Sequence, residues 1–184
     1  MMAPLSASET ATLLRIARQS IIAQVTSGYH GCAPQTGEAL NECCGCFVTI
    51  TRNGQLRGCI GNFSTDRPLY LEVAEMAASA ATKDPRFHPM EKNELDKFSV
   101  EISVLSPLQK VTGIEEIHVG THGIYLEKDF QRGVLLPQVA TEHRWDTDTF
   151  LQQTCRKAGL PGNAWQAIET DIYIFSATIL KESD

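Results

Sequence analysis

Apolar residues recur at helical spacing at Leu14, Ala17, Ile21 and Val25. They follow Ser6-Ala7-Ser8-Glu9, whose serine and glutamate have the spacing of a capping box, so a helix is expected from about Ser8 to Thr26, ended by Gly28. Tyr29 to Glu42 holds Gly31, Pro34 and Gly37, has little periodicity and reads as a connecting loop. From Gly45 to Arg52 the chain is rich in β-branched and aromatic residues, then Asn53-Gly54 intervenes before Gln55 to Gly61. Asn-Gly supplies the positive φ angles of a type I′ turn, so this stretch predicts a β-hairpin. A two-residue turn sets Arg52 opposite Gln55, Ile50 opposite Arg57 and Val48 opposite Cys59. Cys46, Val48, Ile50, Arg57 and Cys59 then share one face, and Phe47, Thr49, Leu56, Gly58 and Ile60 the other. Both faces carry apolar groups, which places the hairpin inside its sheet.

Further along, Pro68 suits a helix start, and Leu69, Val73, Met76, Ala77 and Ala80 form an apolar stripe that predicts a second, closely packed helix to about Thr82. The prolines of Asp84-Pro85-Arg86-Phe87-His88-Pro89 end it. Phe98, Val100, Ile102 and Val104 alternate with polar residues as a strand does. Shorter strands are expected at Ile114 to Val119, Gly123 to Glu127 and Gly133 to Leu136, with a turn at Gly120 to His122. A third helix is expected from Asp146 to Ala158, and a last strand from Asp171 to Leu180. Strands and helices neither alternate strictly nor segregate, which favours an α+β fold with a mainly antiparallel sheet and flanking helices. At 184 residues the chain suits a single domain, or two small lobes sharing one core.

Charge narrows the partners. Sixteen Lys plus Arg against 22 Asp plus Glu give a net charge of −6, the wrong sign for a general binder of nucleic acid or anionic membrane. No apolar run approaches the roughly 20 residues that span a bilayer, and Met1 to Ser8 lack a basic, then apolar, secretory signal. A cytoplasmic, reducing location is therefore expected, and Cys32, Cys43, Cys44, Cys46, Cys59 and Cys155 read as buried hydrophobes, metal ligands or reactive thiols.

The most suggestive segment is Leu56-Arg57-Gly58-Cys59-Ile60-Gly61 (LRGCIG). Two glycines inside a strand imply that something approaches the backbone closely, or that they serve helix packing and sheet twist around a small core cysteine. Arg57 on the face of Cys59 would favour the thiolate, the form that acts as nucleophile or metal ligand. Glu101 on a polar strand face and His122 in its turn could supply a base and an orienting group, or be a solvated carboxylate and an ordinary turn histidine. Arg86 offers a planar fork to an anion, or pairs structurally with Asp84 or a carbonyl. His88 has a weaker claim. Cys43-Cys44-Gly45-Cys46, with Cys32 upstream, lacks zinc-ribbon spacing, so no metal site is assigned. A regulatory disulfide between Cys46 and Cys59 is a further expectation of the register above. No Gly-rich phosphate loop, dinucleotide fingerprint or hydrolase elbow is present, and the cofactor is left unknown.

Taken in order, Gly45 to Gly61, Pro68-Leu69, Asp84-Pro85-Arg86-Phe87, Val100 to Leu105, His122-Gly123, Leu136-Pro137-Gln138-Val139-Ala140 and Lys157-Ala158-Gly159-Leu160 resemble the AMMECR domain family. Its bacterial members are also called AmmeMemoRadiSam system protein A. The resemblance implies an α+β domain with an antiparallel sheet and a larger and a smaller lobe with a cleft between them. It implies no established activity; the hallmark Arg57, Gly58, Cys59 and Gly61 form a candidate active or binding site, and Arg86, Glu101 and His122 fall on other recurrent positions. His88 departs from the pattern, where proline is more usual, and the cysteines before Phe47 are not a family feature. The family's name makes a Memo-like protein and a radical SAM protein the partner candidates. The expectation is a component of a small-molecule redox or radical pathway. In it Cys59, His122 and Glu101 carry thiol or acid/base chemistry, while Arg57, Gly58, Gly61 and Arg86 bind substrate. The alternative is a non-catalytic module that docks a partner or peptide.

Overall fold

In a computed structural model, residues 4–29 and 31–182 are described. The first three positions of the N-terminal stretch read above and His30 of the expected loop lie outside them. In chain order the elements are α1 (Ala7–Ser27), α2 (Glu38–Asn41), β1 (Cys46–Arg52), β2 (Gln55–Asn62), α3 (Leu69–Thr82), β3 (Ser99–Leu105), β4 (Gln109–Lys110), β5 (Gly123–Lys128), β6 (Gln131–Leu135), α4 (Pro137–Glu142), α5 (Thr147–Lys157), β7 (Asp171–Phe175) and β8 (Ala177–Lys181). Helices and antiparallel strands mix as an α+β fold requires. No helix among the described residues is long and apolar enough to cross a membrane.

Two compact units divide the chain: Met1–Leu105 with Thr178–Asp184, and Ser106–Ala177. The first is built on a sheet of order β2-β1-β3-β8. Ser6 caps α1, taking the Glu9 N–H on its hydroxyl while the Glu9 carboxylate takes the Ser6 N–H, and Gly28 closes the helix in the left-handed conformation at φ 70°. Leu13, Ile16, Ala17 and Ile21 of α1, Val73, Ala77 and Ala80 of α3, and Cys46, Val48, Ile50, Val100, Ile102 and Val104 of the strands make one buried cluster. The alanines let α3 lie close to α1 and to the sheet. Glu182 ties the chain's return to this unit by accepting the Arg18 guanidinium and the Val100 N–H.

The second unit carries a sheet of order β4-β7-β5-β6, with α5 packed against β5 and β6. Ile124, Leu126, Phe150, Leu151 and Cys155 lie at the heart of its own cluster. Asp146 caps α5 by accepting the Thr149 N–H.

Three expectations are corrected. The strand expected over Ile114 to Val119 is a 3-10 turn at Ile114–Glu116, because the Glu116 carboxylate gathers the Thr112 and Gly113 N–H groups and curls the chain. The strand expected over Asp171 to Leu180 is two strands in different sheets. It breaks at Ser176, which exchanges hydrogen bonds with Ser106. Finally, the hairpin is not internal: β1 is, but β2 is an edge strand.

Candidate functional site

The hairpin turns as expected, with Asn53 at φ 51° and Gly54 at φ 74°, and Arg52 pairs with Gln55 and Thr51 with Leu56. The register then slips. Ile50 pairs with Gly58, Val48 with Ile60 and Thr49 with Cys59, leaving Arg57 as the extra residue of a β-bulge. A slip of one residue exchanges the two faces of everything beyond it. Gly58 and Ile60 therefore join Cys46, Val48 and Ile50 on the face toward α3, and Cys59 joins Phe47 and Thr49 on the opposite face. This corrects the face assignment made from alternation, and it removes the Cys46–Cys59 disulfide, since the two side chains leave the sheet on opposite sides.

Packing of α3 explains where the bulge falls. A Cβ on Gly58 would lie 2.2 Å from the Ala80 carbonyl oxygen, so only a residue without a side chain fits that slot against the helix backbone. Gly61 is equally confined, its hypothetical Cβ 2.4 Å from the Cys46 carbonyl oxygen and 2.4 Å from the Phe47 ring. What approaches both glycines is this unit's own backbone and packing.

As the edge position of β2, Cys59 turns its peptide N–H and carbonyl away from β1, and the segment after α3 meets them. Asp84 precedes a proline and leaves the helical region there. Its side chain, only 2% exposed, accepts the Cys59 N–H at 2.8 Å, the Arg86 Nη2 at 2.7 Å and Nε at 3.0 Å, and the Arg86 backbone N–H at 3.1 Å. Those four donors fill the acceptor capacity of a carboxylate. The Arg86 guanidinium foremost, with the Cys59 and Arg86 N–H groups, holds the carboxyl well below the usual carboxylate range against the cost of burial. Arg86 Nη2 also reaches the Cys59 carbonyl oxygen at 3.4 Å, so one ion pair occupies both backbone groups of the cysteine. Both structural partners weighed for Arg86 are thus present, yet its side chain stays 54% exposed.

On the face away from α3, Cys59, Thr49 and Glu101 form one row across β2, β1 and β3. The Thr49 hydroxyl donates to the Cys59 Sγ at 3.3 Å, and Glu101 accepts the Lys181 ammonium at 2.9 Å. Cys59 is partly buried. Two strand spacings put Cys59 and Glu101 about 10 Å apart at the backbone, too far for direct proton transfer and close enough for one small molecule to touch both.

Beside the β2 edge, Arg57, Pro85, Arg86, Phe87 and His88 line a cavity of about 480 Å³. Arg57, 16% exposed, donates Nε and Nη2 to Glu94 at 2.7 and 2.9 Å and Nη2 to the His88 carbonyl at 3.0 Å. The pair pulls the Glu94 carboxyl down to about 2. The bulge therefore sends Arg57 to Glu94, and the guanidinium at the Cys59 backbone is that of Arg86.

The first unit thus gathers Cys59, Glu101, Arg57, Gly58, Gly61 and Arg86. His122 belongs to the second unit, in a turn where its Nδ1 accepts the His118 N–H at 3.2 Å. Among the described residues no group of three or more His, Cys, Asp or Glu side chains could hold a metal ion. Cys44 and Cys46 are buried, and burial pushes the Cys44 thiol up to about 11 and the Cys46 thiol well above its ordinary value. Cys43 is exposed and donates to the Asp66 carbonyl. Sequence reasoning missed Thr49, Glu94 and the clamping role of Asp84. The Asp84-Pro85 pair was a local signal for a side chain turned back at a helix end; nothing local marked the other two.

Fold and site define a two-unit α+β protein with a partly buried cysteine clamped at a sheet edge. A model of the AMMECR1 family matches residues 14–180, and the chain belongs to that family. A protein of Methanothermobacter thermautotrophicus is 42% identical over 188 residues, covering 98% of this chain and 97% of its own. One from Methanocaldococcus jannaschii is 44% identical over 153 residues, covering 79% and 76%. The crystal structure of uncharacterized protein PH0010 from Pyrococcus horikoshii superposes with a TM-score of 0.83 at 39% identity, covering 91% of this chain and 88% of that one.

Proposed function

We propose that this AMMECR1-family protein handles a small molecule in a redox or radical pathway, working with a Memo-like and a radical SAM protein. Cys59 is the reacting thiol or acid/base group, and Arg86, with Arg57, holds the charged part of the substrate. Glu101 meets the same molecule from the far end of the Cys59–Thr49–Glu101 row. Gly58 and Gly61 contribute indirectly, by letting α3 and Phe47 pack against β2 and so seating Cys59.

One observation carries this reading. The peptide groups of Cys59 are fixed by Asp84 and Arg86, while its sulfur stands on the opposite face from the core with the Thr49 hydroxyl donating to it and the Arg86 guanidinium beside it. A cysteine kept for packing would gain nothing from being turned out of the core by a bulge. A locked backbone and a sulfur turned out of the core together give the pre-positioning that chemistry at a thiol requires.

Co-expression with a Memo-like and a radical SAM protein tests it. Cys59→Ala is expected to abolish the change in small-molecule profile that the three proteins produce together, with association and melting temperature unchanged. Loss of association with the chemistry of the other two intact would favour the docking-module reading. An unchanged product profile would overturn the proposal.

A further inference from the structure

Every residue lining the cavity beside β2 contributes a flat or ringed group: two guanidiniums, a phenyl ring, an imidazole and a pyrrolidine, from Arg57, Arg86, Phe87, His88 and Pro85. The two guanidiniums are locked in the same way. Each gives Nε and Nη2 to one carboxylate, Arg57 to Glu94 and Arg86 to Asp84, which leaves Nη1 outside both ion pairs, and Arg86 also lies beside the Cys59 side chain. Both lie over the Phe87 ring, with Cζ 5.8 and 5.6 Å from its centroid.

Bidentate pairing fixes the plane of a guanidinium, so its remaining donors are oriented before anything binds. Phenyl and guanidinium faces favour a ligand that presents a π face of its own. Charge sets a second limit. Asp84 and Glu94 already balance the two arginines, so one negative charge can be met by the remaining donors, whereas a dianion would leave its second charge facing two carboxylates. The volume is within the range of small-ligand pockets, about 300–1,000 Å³, and exceeds the needs of a single ring.

We infer that this cavity binds a planar, conjugated monocarboxylate of at least two fused rings, stacked among Phe87 and the guanidiniums, with its carboxylate on the Nη1 groups of Arg57 and Arg86. The inference rests on the proposed function only in taking this cavity as the substrate's charged end; it uses no reactivity of Cys59.

Calorimetric titration with 2-naphthoate, its saturated analogue decahydro-2-naphthoate and inorganic phosphate tests it. Naphthoate is expected to bind one saturable site, the saturated acid at least tenfold more weakly, and phosphate not to compete. Phe87→Leu should erase the preference for the aromatic acid, and Phe87→Tyr should keep it. Should Phe87→Leu fail to fold, nuclear Overhauser contacts between the naphthoate and Phe87 ring protons in the unaltered protein decide the matter. Absent naphthoate binding, equal affinity for the two acids, absence of those contacts, or displacement by phosphate would each overturn the inference. A selectively reactive Cys59 without naphthoate binding ends this inference and leaves the proposed function. Naphthoate binding beside an unreactive Cys59 does the reverse.

Discussion

Asp84→Ala is expected to destabilise the protein by about 2–4 kcal/mol. Breaking a buried ion pair costs about 3–5 kcal/mol when the remaining charge is stranded, and the half-exposed Arg86 reaches water, which lowers that range. The Cys59 N–H also loses its acceptor. Asp84→Asn reads out the charge itself. Because the folded-state carboxyl titrates below its unfolded value near 3.9, its stabilisation is whole above about pH 4 and is lost as the pH falls toward the folded value. Glu94, pulled down to about 2, contributes in the same window. Urea unfolding between about pH 2.5 and 7 should therefore show wild-type stability declining below pH 4, with a shallower decline in Asp84→Asn. Equal slopes in the two proteins would refute the assigned role of the carboxylate.

Gly58→Ala is expected to cost about 3 kcal/mol or more. The added Cβ meets the Ala80 carbonyl, part of a helix backbone that no change of rotamer can move aside. Relief would require α3 to lift from β2 or the bulge to migrate, and the second course would carry Cys59 back toward the core face. Gly54→Ala is the control. It has open space around it and only the strain of φ 74°, worth about 1 kcal/mol. Denaturant midpoints for the two variants that differ little, or an unshifted Gly58→Ala, would contradict the packing account of the bulge.

The parts of the fold legible in the sequence were those written in local chemistry. Ser6 and Glu9 announce α1 because both halves of a capping box lie within one turn, and Asn53-Gly54 announces the hairpin because few other pairs accept two positive φ angles. The bulge at Arg57 was not legible. Alternation assumes equal spacing on both strands, and the extra residue is dictated by α3 passing over Gly58, a contact between segments more than 20 positions apart. The same holds for the site. Cys59, Arg86 and Glu101 could be singled out by type and setting, while Thr49 and Glu94 gain meaning only through register and tertiary approach. The break at Ser176 escaped notice because apolar residues continue on both sides of it, and the partner that interrupts the strand, Ser106, is distant in sequence.

The central claim is that the bulge turns the Cys59 sulfur out of the core while the Asp84–Arg86 pair holds its backbone. Timed alkylation of the native protein with iodoacetamide, followed by peptide mapping, tests it most directly. Cys59 should be modified alongside the exposed Cys43, while Cys44, Cys46 and Cys155 stay protected until the chain is unfolded. A Cys59 as slow to react as Cys46 would contradict the account.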